Sequence, residues 1–134
     1  MRYLGGYAAC FIVIVALDAL WLGLIAKPLY QQGIGHLMAL KFNVAVALLF
    51  YALFALGLMI FAVVPHQETI GWSKTLTAAA LFGFFAYATY DLTNLATLRD
   101  WPVGVSLLDM AWGTLVSTVS AAAAKGAMQQ FEIS

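Results

Sequence analysis

Four apolar runs, each long enough to cross a lipid bilayer, dominate this sequence. They extend from about Leu4 to Ala26, Asn43 to Val64, Thr75 to Leu98 and Val103 to Ala124. An α-helix rises about 1.5 Å per residue and the hydrocarbon core is about 30 Å thick, so roughly 20 apolar residues suffice for a span. A chain patterned this way cannot cover itself with polar surface in water. Its 134 residues are 64% hydrophobic and 9% charged, where a soluble domain has about 45–50% and about 25%. The expected architecture is an all-α integral membrane protein, with residues 1–134 forming a single domain of four transmembrane helices in a compact bundle. The lipid bilayer is then its first partner.

The connections carry stop signals and are short, which forces successive spans to be antiparallel. Residues 27–42 begin with Lys27-Pro28, read as a helix end, and include Gly33 and Gly35. Tyr30, Ile34, Leu37 and Met38 suit this segment to the membrane interface. Val64-Pro65-His66 opens the second connection, and Arg99-Asp100-Trp101-Pro102 is a tight turn. Lys27, Lys41 and Arg99 fall on one side, called here the near side, and Arg2, Lys74 and Lys125 on the other. Basic residues therefore do not choose an orientation. The amino-terminal charge beside Arg2 favours both termini being cytoplasmic.

Several classes of function are set aside. Six basic residues balance six acidic ones, so no basic field draws nucleic acid. The single cysteine, Cys10, allows no internal disulfide and reads as a small buried hydrophobe. Asp18 and Trp21, together with the length of the first run, argue for a retained helix rather than a cleaved signal. His36 and His66 lie in connections on opposite sides, so no metal site is expected, and no cofactor is implied. No Ser-His or Cys-His arrangement points to a hydrolase.

What interrupts the apolar runs is more informative. Asp18 lies in the first, Asp91 and Asn94 in the third and Asp109 in the fourth. A carboxylate at mid-depth costs about 2.5–3.5 kcal/mol on insertion scales, so each needs a partner or water. Counted from the near ends, all three carboxyls sit about 10–14 Å deep. Gly83, Tyr87, Asp91, Asn94 and Leu98 share one face of the third span by i, i+3, i+4 spacing. Ser106, Asp109, Gly113, Ser117 and Ser120 form a stripe of small residues on the fourth, the kind that lets membrane helices pack closely. Asp18-Ala19-Leu20-Trp21 and Asp109-Met110-Ala111-Trp112 repeat one spacing in spans of opposite direction. The repeat nominates Trp21 and Trp112 as walls of a common pocket. The candidate ligand- or proton-binding residues are thus Asp18, Asp91, Asn94, Asp109, Trp21, Tyr87 and Trp112. Arg99 is placed to reach toward Asp91, although snorkelling outward is the commoner behaviour of such a side chain.

The stretch Gly83-Phe84-Phe85-Ala86-Tyr87-Ala88-Thr89-Tyr90-Asp91-Leu92-Thr93-Asn94-Leu95-Ala96-Thr97, with Asp100-Trp101-Pro102 and Asp109-Met110-Ala111-Trp112-Gly113-Thr114 after it, resembles a family of bacterial membrane proteins, domain of unknown function 2177. Leu17-Asp18-Ala19-Leu20-Trp21-Leu22-Gly23 and Phe61-Ala62-Val63-Val64-Pro65 are similar to it as well. The resemblance implies a bacterial origin, hence the inner membrane, and four spans. It transfers no activity. Three roles remain open. The first is a small transporter or binding protein with a protonation-sensitive pocket for a small molecule or lipid. The second is a structural or accessory subunit in which the aspartates only lock helices. The third is an embedded enzyme acting on a lipid or isoprenoid, which ranks last. Transport expects a homodimer, with Gly5-Gly6, Ser106 and Gly113 as close helix contacts.

Overall fold

The computed structural model describes residues 1–38, 43–68 and 70–133, and all the regular structure among them is helical. Helix α1 (Arg2–Leu20) runs into a π-helical turn, Trp21–Ile25, closed by the Ala26 N–H on the Trp21 carbonyl at 2.7 Å. Pro28, read from sequence as a helix end, also lies in the first turn of a new helix, α2 (Lys27–Ile34). Proline is welcome there because the first N–H groups of a helix have no partner in any case. A 3₁₀ turn, Gly35–Leu37, ends this segment. Lys41, counted among the near-side charges, lies outside the described residues.

Helix α3 (Val44–Leu58) is capped by Asn43, whose Oδ1 accepts the Val46 N–H at 3.2 Å. It passes into a second π turn, Met59–Val63, and then a 3₁₀ turn, Val64–His66, that carries Pro65. Helices α4 (Ser73–Thr97) and α5 (Val103–Ile133) complete the fold. Between them Asp100 adopts a φ of 60°, a left-handed conformation that aspartate tolerates better than most residues. The Asp100 carboxylate lies 3.4 Å from His36 Nε2, which ties the turn to the end of the α2 segment.

Helix α5 continues past the expected end at Ala124 and holds the centre, packing on α1 along one side and α4 along another. Its small residues make this possible. A Cβ at Gly83 of α4 would stand 2.5 Å from the Gly113 carbonyl oxygen and overlap the Ser117 side chain. Gly113 lies directly under the Tyr87 ring. Gly6 is packed on Met128, so this glycine, like Gly113, serves contacts inside the chain. Pairs along α1 and α5 run Gly6 with Met128 and Asp18 with Trp112; those along α4 and α5 run Thr75 with Lys125 and Gly83 with Ser117. Position numbers rise on one helix as they fall on the other.

The main core gathers Cys10, Ile14, Leu58, Ala62, Ala79 and Ala121, a smaller one Ala26, Tyr30 and Val105. Among the described residues three stretches are long and apolar enough to cross a membrane: Arg2–Leu24, Val44–His66 and Val103–Gln130. Helix α4 has 25 residues but carries threonines, tyrosines, Asp91 and Asn94 among its apolar positions. The first half of α3 differs from the rest: every residue from Val44 to Phe50 is exposed.

Candidate functional site

Asp18 sits near the end of α1 and is buried. Its Oδ1 accepts the Trp112 indole N–H at 2.9 Å and its Oδ2 accepts the Tyr51 hydroxyl. One carboxyl therefore joins α1 to α5 and α3. Asp109, a turn before Trp112, accepts the Tyr30 hydroxyl at 2.7 Å. Tyr30 in turn accepts the Trp21 indole N–H at 3.4 Å. Burial, with the Asp109 carboxyl beside it, pushes the Tyr30 phenol above its ordinary pKa, so it keeps the proton that it donates.

The two Asp-x-x-Trp motifs consequently meet crosswise. The tryptophan of the second reaches the aspartate of the first directly, and the tryptophan of the first reaches the aspartate of the second through Tyr30. The two indoles stack between them, centroids 4.4 Å apart and planes 4° from parallel. Offset stacking of large rings is favourable by about 0.5–1.5 kcal/mol beyond the area that it buries.

Asp91 is 0% exposed and lies beside Asp109. Neither of its oxygens has a hydrogen-bond partner among the described residues. Asn94, a turn further along α4, is half-buried. No lysine or arginine among the described residues makes an ion pair with Asp18, Asp91 or Asp109, and Lys27 and Arg99 are both exposed. Arg99 does not reach inward. Every hydrogen bond found on these carboxyls comes from a neutral donor.

Between the helices lies a cavity of about 390 Å³. Asp18 and Asp109 supply its acidic part, Tyr30, Phe54 and Tyr87 its aromatic walls, and Leu22, Phe50, Ala86 and Tyr90 its remaining lining. Tyr87 stands edge-on to Phe54 at 5.9 Å. Of the residues nominated from sequence, Asp18, Asp109 and Tyr87 line the cavity. Trp21 and Trp112 form the stack bonded to them, Asp91 sits behind Asp109, and Asn94 lies away from the lining. The three carboxyls do not converge on one point. Among the described residues no group of three or more His, Cys, Asp or Glu is close enough to hold a metal ion.

Two tyrosines of the network, Tyr51 and Tyr30, are not among the site residues nominated from sequence. Tyr51 is seven residues from the start of α3 and carries no polar neighbour that would mark it. Tyr30 was assigned to the interface. Its signal was there in Pro28, since a helix that starts at Lys27 turns Tyr30 back toward the bundle.

A family described as predicted membrane protein, domain of unknown function 2177, matches residues 3–125. The chain belongs to this family. The match takes in the first turn of α1, the whole polar network and the cavity. No curated protein and no solved structure matches the chain.

At the opposite end, Lys125 was expected at the membrane surface and is instead buried, 2% exposed. Its ammonium donates to the His66 carbonyl at 3.3 Å, the Gly71 carbonyl at 2.9 Å and Thr75 Oγ1 at 3.4 Å, and lies 5.6 Å from the Trp72 ring centre. The lysine pins the connection before α4 to the far part of α5. A charge buried in this way is sustained only by such a full set of acceptors.

Proposed function

We propose that this chain crosses a bacterial inner membrane four times, with α1, the α3 stretch through His66, α4 and α5 as successive antiparallel spans, and that its acidic cavity binds a small molecule at bilayer depth. The observation that carries the reading is the cavity itself: about 390 Å³ of open space beside two carboxyls that make no ion pair among the described residues. Pockets for small molecules run from about 300 to 1,000 Å³ and combine apolar walls with a few placed polar groups. Ionisable groups inside a membrane mark ligand or ion sites by default. With only neutral donors around the carboxyls, charge balance in the cavity is closed by a proton or by the ligand, so binding is linked to protonation. A carrier cycle would follow if the loaded and empty forms open differently.

A structural role is favoured by one specific observation, the complete pairing of Asp18. Both of its oxygens are bonded, to helices on either side, which is how a carboxyl fixes register. The two roles divide between residues: Asp18 ties the spans together, and Asp109 with Asp91 behind it serves the cavity.

Filling the cavity tests the reading. Ala86 lines it from α4, and Ala86→Trp replaces a methyl with an indole. Protein purified with native lipid should release a bound small molecule on denaturation, seen by mass spectrometry, and Ala86→Trp should release none. Equal release from both proteins places the ligand elsewhere and ends the proposal.

A further inference from the structure

The cavity combines three kinds of lining. Asp109 and Asp18 make one part acidic, with Asp91 behind Asp109. Tyr30, Phe54 and Tyr87 contribute aromatic rings. The rest of the lining is partly exposed: Leu22 at 39%, Phe50 at 45% and Tyr90 at 55%. Helices α3 and α4 meet through Phe54 and Gly57 against Phe82 and Tyr87. Tyr51 and Ala52 of α3 are half-buried and held to α1 by hydrogen bonds with Asp18 and Tyr7, whereas from Phe50 back to Val44 every residue is exposed. The cavity therefore has its mouth between Phe50 and Tyr90, and in the proposed topology this opening faces the acyl chains.

Resting on the reading that the cavity is a ligand site, we propose that its ligand is an amphiphile with a cationic amine or quaternary ammonium head and an apolar tail, entering sideways from the bilayer between α3 and α4. Three features of the cavity select this class. Among the described residues the carboxyls have no cationic partner, so a positive head supplies a counter-charge. Aromatic rings beside the carboxyls attract a cation as well. The mouth is apolar and opens at the side, where a tail remains in lipid and pays no dehydration cost. An anionic head would meet carboxyls on two sides. A bare metal ion would need oxygen ligands that converge, and these do not.

The test measures equilibrium binding of dodecyltrimethylammonium and of dodecanol to the full chain in nanodiscs of uncharged lipid, with empty nanodiscs subtracted. The two probes share a tail and differ in charge. Saturable binding of the cation, about tenfold or more tighter than that of the alcohol, is expected. Asp109→Asn should erase the preference, and Ala86→Trp should abolish binding. If both probes bind equally and Ala86→Trp removes both, the cavity remains a ligand site and the cationic head is refuted. If Ala86→Trp leaves binding of the cation unchanged, both the cationic ligand and the reading of the cavity as a site fall. Retention of the full preference in both Asp109→Asn and Asp18→Asn also refutes the proposal, as does no binding of either probe. Circular dichroism and the monodisperse yield of each variant separate misfolding from lost recognition.

Discussion

Gly83→Ala adds one methyl where α4 and α5 have no room for it. The new Cβ would lie 2.5 Å from the Gly113 carbonyl oxygen, and an ordinary contact needs at least 3.4 Å. The helices must separate by about 0.9 Å at this point, because the atom in the way is backbone and has no other rotamer to adopt. Such overpacking costs about 1–3 kcal/mol. Alanine regains about 1 kcal/mol of helix propensity over glycine, leaving a net loss of up to about 2 kcal/mol. Gly104, in the first turn of α5, provides the control, since nothing stands within 4 Å of its added Cβ. Gly104→Ala should be neutral or slightly stabilising. Thermal unfolding of both variants in one mild detergent reads the difference. The separation also moves Tyr87, whose ring rests on Gly113, so Gly83→Ala should weaken ligand binding at the cavity as well. If Gly83→Ala melts at or above the wild-type temperature, close contact between α4 and α5 is not what the small residues are for, and the packing argument fails.

Asp18→Asn replaces one of two accepting oxygens with an amide N–H₂, so either the Trp112 or the Tyr51 donor loses its acceptor and stability should fall by about 1–3 kcal/mol. Asp91→Asn, at a site with no donors among the described residues, should leave stability unchanged or higher, and the pair of melting curves distinguishes a tie from a cavity-serving carboxyl. Tyr30→Phe removes the hydroxyl between Trp21 and Asp109 and should cost about 1–3 kcal/mol; unchanged unfolding would show that α2 is not anchored through Asp109. Lys125→Met strips the His66 and Gly71 carbonyls of their ammonium partner and should speed hydrogen–deuterium exchange in residues 66–73 while leaving exchange near Asp18 as it was.

The apolar helices were legible because lipid imposes a length on every apolar run, and the polar residues that matter stood out because a charge within such a run is costly. Small residues on α5 were legible too, since stripes of serine and glycine at helical spacing have few other uses. The Asp-x-x-Trp repeat gave a true neighbourhood for Trp21 and Trp112 but not the crossing of partners, which depends on Tyr30. That residue was hidden by a proline that ends one helix and begins another. Lys125 was misplaced for a related reason: the acceptors that bury it are mostly backbone carbonyls, which no pattern of side chains records. Helix α4 is the hardest to read by hydropathy alone, because its tyrosines, threonines and Asp91 are what the cavity and the α5 contact require.

The two π turns each continue the carboxyl end of a helix, Trp21–Ile25 after α1 and Met59–Val63 after α3. Each breaks the regular hydrogen-bond ladder and so bends more easily than the helix beside it. In α3 this makes a lever with its pivot at Met59, and its arm is held by Phe54 and Ala55 in the core and by the Tyr51 hydroxyl on Asp18. Phe50 lies about 13 Å along that arm, so a tilt of about 10° at the pivot carries it about 2 Å. The mouth of the cavity therefore widens only as Phe54 shifts in the core and the Tyr51 bond to Asp18 gives way, so the polar tie between the helices also acts as the latch of the opening.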